Sequence, residues 1–511
     1  MIAIALLARA LLLPFIGIPE PRINDEYSYL LMADTFSHHR LTNPTPPAWR
    51  HFETFHVNLT PTYHSKYPVS QGLVLALGET VFGQPWIGVY LSTALLCGAI
   101  CWALQAFVPP GWALLGGLLA VARIALFSYW MNSYWGGSVA ALGGAVALGA
   151  VVRLFRAERT SRGRSILSCA FAIGLLILAT SRPYEGLAFS MPLLGYFGYQ
   201  TVRAATAKGK NLRAMVFPIV VIGSIGVMAM GYYNQRATGN PLLLPYVLYE
   251  RTYPDLPISL PLLFGQKARA ELPVTDPIFT KWYAALEAEH HYQQSGTIRG
   301  LIAVEAGRLG LNWFFYVGPT LSFAALLGFF SCIMQPRLRI VAGALITTGA
   351  AVAICVVSQV HYFSPATIAV YIVTVEGLHY LWQQRNNGAQ AFVIAVCITV
   401  VVVSLVRQSG SSTMNTTFAF RDARKLVAQQ LESKPGRHLI LVSYDPERHY
   451  PGNELVHNGA EFSSEKILWA RSKGIAGNSD LCRAYPERTF WSVRTDDVNL
   501  SLSPLSLCQS R

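Results

Sequence analysis

Charge is scarce in this sequence: Asp, Glu, Lys and Arg together make up 13% of its 511 residues. The sequence also has no GxGxxG or P-loop motif, so no local signature points to a bound nucleotide. No internal repeat or low-complexity tract is evident, and the sequence therefore gives no sign of a repeat architecture.

Cysteine is also sparse, with eight residues in the whole chain. Six of the eight lie inside apolar runs without the spacing of metal ligands, which indicates small buried hydrophobes rather than a metal cluster. Only Cys482 and Cys508 lie in the polar tail, where the two could form a disulfide.

Apolar residues, by contrast, make up 52% of the chain, and the mean hydropathy is +0.35. They recur in runs of nearly membrane-spanning length, which predicts a polytopic α-helical membrane protein with about 11 transmembrane helices. The predicted spans lie near residues 2–18, 86–107, 111–130, 137–155, 165–181, 185–202, 214–232, 312–333, 339–358, 364–382 and 390–407.

The net charge of +13 would suggest nucleic-acid binding in a soluble domain. Here, however, many Arg and Lys residues lie in short loops between apolar runs, as the positive-inside rule describes for cytoplasmic loops. The loops at 153–164, 203–213 and 337–339 are therefore predicted to be cytoplasmic. This places the N-terminus inside and the C-terminus outside, and no nucleic-acid partner is predicted.

The sidedness of these loops bears on a short apolar stretch at 69–82, which carries Glu79. The first predicted span runs outward and the span at 86–107 must run inward, so a full crossing between them would invert this order. The stretch is therefore predicted to lie at the outer surface as a juxtamembrane or re-entrant helix. Two ordinary short spans are the alternative.

The apolar runs end near residue 407, so residues 1–407 are predicted to form a transmembrane domain. This domain has two long outer segments, 19–85 and 233–311. Residues 408–511 are predicted to form a small α/β domain, because an amphipathic helix pattern at 418–431 is followed by the strand-like runs HLILVSY and TFWSV.

Two carboxylates, Asp25 and Glu26, follow the first apolar run and should lie at the outer membrane interface, where a carboxylate costs little to hold. A positioned carboxylate there can act as a general base. It can take the proton from a hydroxyl as that hydroxyl attacks a substrate. The alternative is an ordinary polar helix end in which Asn24 or Asp25 caps the next helix, and the spacing alone favours that alternative.

The outer segment that begins with these carboxylates also carries cations and histidines. Lys66, just before Tyr67 and Pro68, is a candidate to bind a donor phosphate, and a lysine that merely reaches the membrane interface is the alternative. The histidine spacing in this loop is not that of a recognised closed metal site, so no metal ligand is predicted. The candidate substrate contacts in the loop are Arg50, His56 and His64.

Further polar residues lie at the other predicted outer turns. The SRPYEG turn places Arg182 where it could bind a phosphate, and an internal Arg182–Glu185 ion pair is the alternative. Arg236, at the start of the 233–311 segment, is another candidate for the donor phosphate. The candidate substrate contacts at these turns are Tyr184, Glu185 and His361, although a histidine in a turn is more often structural.

An outward first helix, the motif NDEYSYLLMA and the element KYPVSQGLVLALGETVFG precede a helical bundle with an outer C-terminal domain. This arrangement resembles the GT-C superfamily of membrane glycosyltransferases. It is most similar to the branch that holds the protein O-mannosyltransferases, the aminoarabinose transferases of lipid A and the lipopolysaccharide-core galacturonosyltransferases. The resemblance covers roughly the first 240 residues, and beyond them only the topology and the HYFSP turn agree.

The resemblance implies an inverting glycosyltransferase that moves a sugar from a polyprenyl-phosphate donor to a glycolipid, lipopolysaccharide or protein acceptor. Asp25 matches the catalytic aspartate of the superfamily, with Glu26 beside it. Lys66 matches the lysine that contacts donor phosphate, although relatives have Lys-Pro-Pro where this chain has Lys66-Tyr67-Pro68. Relatives of the aminoarabinose-transferase type can bind a divalent metal near this loop, so the resemblance leaves a divalent metal open as a cofactor.

The resemblance further implies a multi-pass protein of the bacterial inner membrane, in contact with membrane lipids, whose active site and C-terminal domain face the periplasm. A transporter or flippase of lipid-linked sugars is the alternative from another functional class. Such a protein would have paired charges at the bilayer midplane and broken helices in two related halves. The sequence shows neither feature clearly.

Overall fold

The computed structural model describes residues 1–156, 160–206, 212–253, 277–410, 419–444, 454–495 and 500–506. Helices dominate these residues, because a helix satisfies its own backbone hydrogen bonds where an apolar environment supplies none. The first nine are α1 (Ile2–Ile16), α2 (Asn24–Ser37), α3 (Val69–Phe82), α4 (Trp86–Leu104), α5 (Pro110–Ala120), α6 (Ser138–Leu154), α7 (Ser161–Ser181), α8 (Pro183–Thr206) and α9 (Leu212–Thr238).

A second set of helices completes the bundle and begins the tail. The segment predicted as a long outer loop, 233–311, is largely helical in its described part: it holds the end of α9, two whole helices and most of a fourth. The second set consists of α10 (Pro245–Thr252), α11 (Pro277–Glu289), α12 (Ile298–Tyr316), α13 (Gly318–Met334), α14 (Arg339–Ile354), α15 (Thr367–Gln383), α16 (Asn387–Gly410) and α17 (Ala419–Glu432).

Helices occupy all or part of each of the eleven positions predicted as membrane spans. Over 312–333, where one span was predicted, the structure has a bend, because α12 and α13 meet there at an angle of 98°. Gly318 breaks the helix with a left-handed φ of 70°, and Pro319 follows it without a backbone N–H.

Length and apolar composition suit five of the described helices for crossing a membrane, or six if the bent pair counts as one span. Four further apolar helices are shorter, among them α3, which occupies the stretch predicted to lie at the outer surface. The total number of spans and the surface position of α3 stay predictions.

Close helix packing in the bundle depends on glycines. A Cβ added to Gly377 of α15 would lie 1.8 Å from the carbonyl oxygen of Ala324 in α13, and one on Gly328 would lie 1.8 Å from that of Val373. The two backbones therefore touch at these positions, as small residues allow in membrane helices. Every residue from Thr367 to Leu378 is buried, which places α15 in the centre of the bundle.

The tail contains a sheet of four strands, β3 (Arg437–Ser443), β4 (Ile467–Arg471), β5 (Arg488–Arg494) and β6 (Leu502–Pro504), in the order β4-β3-β5-β6. The first three are parallel, and β6 pairs with β5 in the antiparallel sense. Strands β3 and β5 occupy the two strand-like runs of the sequence. Cys482 is disulfide-bonded, while Cys508 lies outside the described residues.

The sheet packs against the first outer segment of the chain. That segment includes a short antiparallel hairpin of β1 (Val57–Asn58) and β2 (His64–Ser65). Its apolar side chains and those of the sheet form one buried cluster, and this packing fixes the loop after α2 between the helical bundle and the sheet. The cluster includes Leu31, Phe52, Val57, Leu59 and Tyr63 from the N-terminal side and Leu439, Leu441, Leu468 and Phe490 from the sheet.

Candidate active site

The site is built on the first turn of α2, where Asp25 and Glu26 stand side by side. Glu26 is 2% exposed, and its Oε2 accepts the backbone N–H groups of Arg22 at 2.5 Å and Ile23 at 3.1 Å. Its Oε1 accepts the N–H of Tyr134 at 2.8 Å. Glu26 therefore caps the helix and ties it to the turn after α5, since the first N–H groups of a helix need such partners.

Asp25 differs from its neighbour in being partly open, with 23% of its side chain exposed. The hydroxyl of Tyr67 donates a hydrogen bond to its Oδ1 at 2.5 Å, and Nε2 of His56 lies 3.6 Å from its Oδ2. The two oxygens therefore face two different side chains of the loop that follows α2.

The charge state of Asp25 is set by opposing effects. Burial raises the pKa of its carboxyl, while the Tyr67 hydrogen bond and the positive charges of Lys66 and Arg182 partly oppose this rise. Burial, followed by the charges of Lys66 and His457, holds the pKa of His56 well below its usual value. His56 is therefore neutral at pH 7, and Asp25 titrates above the range of an exposed carboxyl.

A hydroxyl network aligns α2 with the loop. Ser28 lies one turn after Asp25, and its hydroxyl donates to the carbonyl oxygen of His56 at 2.6 Å. The Ser28 and Ser65 hydroxyls are 2.7 Å apart, and the Tyr67 N–H donates to the Ser65 hydroxyl at 3.2 Å. These bonds fix His56 and Tyr67, the two side chains beside Asp25, relative to α2.

Lys66 is 3% exposed and lies among aromatic rings. Its Nζ is 4.5 Å from the ring centre of Tyr249, 4.9 Å from that of Tyr246 and 5.6 Å from that of Tyr67. Aromatic faces stabilise a cation whose hydration has been reduced. The Tyr249 hydroxyl also accepts the backbone N–H of His56 at 3.0 Å, which joins α10 to the loop.

Arg182 occupies the junction between α7 and α8, and its guanidinium lies 4.3 Å from the ring centre of Tyr362. Burial lowers its pKa, but Glu185, Tyr29 and Tyr362 together raise it, so the guanidinium stays charged. Arg182 is thus near both Asp25 and Glu185. The structure therefore places Arg182, Lys66 and His56 around Asp25, with Glu185 beside Arg182.

His361 lies beside this cluster and is 1% exposed. Its Nδ1 is 3.1 Å from the Tyr129 hydroxyl, and its ring packs against Trp135 with the centres 4.4 Å apart. Tyr184 is exposed and points to α14, where its hydroxyl donates to the carbonyl of Ala351 at 3.2 Å.

Three other predicted residues are placed differently. His64 is buried in β2 and bonded within the loop, with its Nδ1 2.9 Å from the carbonyl of Thr62 and burial lowering its pKa to about 4. Arg50 is exposed beside Trp49, and Arg236 is exposed on the last turn of α9. The hydrogen bonds of His64 to Asn58 and Thr62 support the loop rather than the surroundings of Asp25.

Several residues of the site carry no motif that could have selected them from the sequence. Glu289, at the end of α11, is close enough that burial and the charge of Asp25 both raise its pKa. Among the tyrosines of the site, Tyr67 alone has a local signal in the sequence, since it directly follows Lys66. These residues are Tyr29, Tyr67, Tyr246, Tyr249, Glu289 and Tyr362. Among the described residues, no group of three or more His, Cys, Asp or Glu side chains is placed to hold a metal ion.

No family model matches the chain, and no curated protein matches its sequence. Solved structures of GT-C membrane glycosyltransferases do share its fold. ArnT from Cupriavidus metallidurans in the apo state matches with a TM-score of 0.55 and 14% identity over 97% of this chain and 93% of that chain. The same protein bound to undecaprenyl phosphate matches with a TM-score of 0.54 and 12% identity over 97% and 92%.

The oligosaccharyltransferase of Archaeoglobus fulgidus, in complex with Zn and sulfate, matches with a TM-score of 0.52 and 11% identity. This match covers 96% of the present chain and 67% of that chain. The GT-C resemblance of the sequence is therefore confirmed at the level of the fold. It also extends well beyond the first 240 residues, because fold similarity persists where sequence motifs do not.

Proposed function

We propose that this chain is an inverting glycosyltransferase that transfers a sugar from a polyprenyl-phosphate donor to a hydroxyl-bearing or similar nucleophilic acceptor. The observation that carries the proposal is the partly open carboxylate of Asp25, held between Tyr67 and His56 with the buried Lys66 and the partly buried Arg182 nearby. In a chain with this fold, such a carboxylate fits the role of general base.

In the proposed reaction, the acceptor oxygen attacks the anomeric carbon while the bond from that carbon to the phosphate oxygen breaks. The phosphate leaves with the bonding electron pair, and Asp25 takes the proton of the acceptor. Attack from the side opposite the leaving group inverts the anomeric centre. His56, neutral and beside Oδ2, orients the carboxylate rather than competing for the proton.

Lys66 and Arg182 are proposed to bind the donor phosphate. The positive charges of both lower the pKa of Asp25, so both lie near the carboxylate that is proposed to act as the base. Positive groups at this place stabilise the charge that grows on the leaving phosphate. One fold neighbour, ArnT, has been solved with undecaprenyl phosphate, which supports a lipid-phosphate ligand for this fold.

Glu26 was predicted as a second catalytic carboxylate, and we assign it a positioning role instead, because its oxygens accept three backbone N–H groups. Glu185 and His361 are proposed to line the donor side of the site near Arg182. Substrate contact by Arg50, His64 and Tyr184, and phosphate contact by Arg236, stay predictions.

The membrane placement follows from the same proposal. The N-terminus lies in the cytoplasm, about 11 helices cross the bacterial inner membrane, and the active site faces the periplasm. The tail, 408–511, is then periplasmic, and its described sheet packs on the catalytic loop. The acceptor is a glycolipid, lipopolysaccharide or protein on that side.

The test uses full-length protein in nanodiscs with a panel of purified undecaprenyl-phosphate sugars and candidate acceptors. Asp25→Asn should lower the transfer rate at saturating donor by about a hundredfold or more, because general-base catalysis contributes about 10²–10⁴-fold. Glu20→Gln is the matched control, since Glu20 is an exposed carboxylate five residues earlier whose contact is a surface ion pair with Lys425.

Equal rates for wild type and Asp25→Asn would remove Asp25 from the role of base. A wild-type protein that consumes none of the donors, yet moves them between leaflets of a proteoliposome, would replace the proposal by the transporter alternative.

A further inference from the structure

Tyr67 is fixed in place by contacts on both its ring and its backbone. The ring stacks on Tyr29 with the centres 4.5 Å apart and an interplanar angle of 16°. Tyr29 lies on α2, one turn after Asp25, so the tyrosine ring is held against the same helix that carries the carboxylate. The backbone N–H of Tyr67 is bound through Ser65 to Ser28 of that helix.

The hydroxyl of Tyr67 therefore has little freedom, and it meets Asp25 Oδ1 at 2.5 Å. Burial and the nearby charge of Asp25 raise the pKa of Tyr67 well above its usual value, so its hydroxyl stays protonated and can only donate to the carboxylate. A hydrogen bond to an ionised carboxylate is stronger than one between two neutral groups.

We propose that Tyr67 is a positioning residue of the catalytic base: its hydroxyl holds Oδ1 of the partly open carboxylate and leaves Oδ2 to receive the proton. This inference rests on the proposed function in one respect, namely that the proton received by Asp25 comes from the acceptor. The hydrogen bond and its effect on the carboxylate stand without that function.

The other groups around Asp25 come from several elements. Lys66 on the loop and Arg182 at the α7–α8 junction favour the ionised form, and His56 on the loop faces Oδ2. Glu289 on α11 and the phenol of Tyr362 also interact with the Asp25 charge. The Tyr67 hydrogen bond and the charges of Lys66 and Arg182 all lower the pKa of Asp25 against the effect of burial.

The first test measures the protonation of Asp25 without any substrate. Dicyclohexylcarbodiimide modifies protonated carboxyl groups, so its rate of reaction with Asp25 in nanodiscs, read by peptide mass spectrometry, reports the titration of this residue against pH. Tyr67→Phe keeps the stacked ring and removes the hydroxyl. In this variant the midpoint of the Asp25 titration should rise by about one pH unit. Labelling at neutral pH should then be roughly tenfold faster.

Tyr63→Phe is the matched control. Tyr63 is a buried tyrosine of the same loop, but its hydroxyl donates to the carbonyl of Asn458 at 2.8 Å. This variant loses the same atom at a similar cost to folding and should leave the Asp25 midpoint where it is. A Tyr67→Phe profile that superimposes on the wild-type profile overturns the inference.

A third protein guards against a folding defect in Tyr67→Phe. Fluorotyrosine placed at position 67 makes the phenol a stronger donor, so the Asp25 midpoint should move to lower pH, opposite to Tyr67→Phe. Structural damage would not produce shifts of opposite sign. An unchanged midpoint in the fluorotyrosine protein contradicts the inference.

The second test uses transfer from the donor found active above. The low-pH limb of kcat should move upward by about one pH unit in Tyr67→Phe, with KM for the donor little changed. A uniform loss at all pH values would mean a structural role only, and would overturn the inference. If no transfer is found in wild type, the proposed function fails, and the labelling experiment still decides the role of Tyr67.

Discussion

Arg471→Met should loosen the contact between the C-terminal sheet and the catalytic loop. Arg471 stands at the end of β4 and is 2% exposed. Its Nη2 donates to Glu454 Oε2 at 2.7 Å and to the backbone carbonyl of Glu53 at 3.1 Å. Glu53 precedes His56 by three residues, so this cation joins the sheet to the part of the loop that reaches Asp25.

The magnitude follows from the burial of the pair. The side chains of Arg471 and Glu454 are 3% and 0% exposed, and removing one partner of a buried ion pair costs about 3–5 kcal/mol. Glu454 keeps hydrogen bonds from the N–H groups of Leu455 and Val456, which partly stabilise the remaining charge. We therefore expect the lower end, about 3 kcal/mol, equal to roughly a hundredfold more frequent local opening.

Amide hydrogen exchange of the protein in nanodiscs measures this opening. Amides of β4 and of the loop 49–58 should exchange roughly a hundredfold faster in Arg471→Met, while those of α15 should not change. The double variant with Glu454→Gln should recover part of the protection, because no buried charge is left without its cation. Unchanged exchange in the single variant, or fully additive losses in the double variant, would refute this account of the contact.

Two further perturbations test the docking and the packing. Burial raises the pKa of Glu465 to about 7, so the free energy of unfolding should fall as pH rises from about 4.5 to 7. The variant Glu465→Gln can still accept the N–H of Gly459 but cannot titrate. Thermal unfolding should therefore show no such pH dependence in this variant. Gly377→Ala should prevent folding or lower Tm sharply, because its Cβ would lie 1.8 Å from the carbonyl oxygen of Ala324, whereas Gly310→Ala, with open space around its Cβ, should keep the wild-type Tm.

The helices were predictable because the backbone of a long apolar run must form its hydrogen bonds internally. A helix does this with residues four positions away in the chain. The bend between α12 and α13 was missed although its signal was local. Gly318 and Pro319 stand inside a run whose hydropathy is continuous, and the average over that run concealed the break.

The site was only partly predictable. Asp25 and Lys66 were selected mainly by the resemblance to the GT-C superfamily, and Arg182 as a cation at a predicted outer turn. The structure places them near one another. Which of two adjacent carboxylates is open could not be read from their order in the chain. Glu26 is engaged by the N–H of Tyr134, which is 108 residues away, and no spacing encodes such a partner.

The sequence by itself determined a polytopic helical chain, the positions of most helices and of two strands in the tail, and the segment that carries the candidate base. Only the tertiary structure decided that the sheet packs on this segment, and that Tyr67, Arg182 and Glu289 surround Asp25. The reason is physical: helix formation depends on contacts within a turn, whereas the protonation of a buried carboxylate depends on whichever groups the whole fold brings to it.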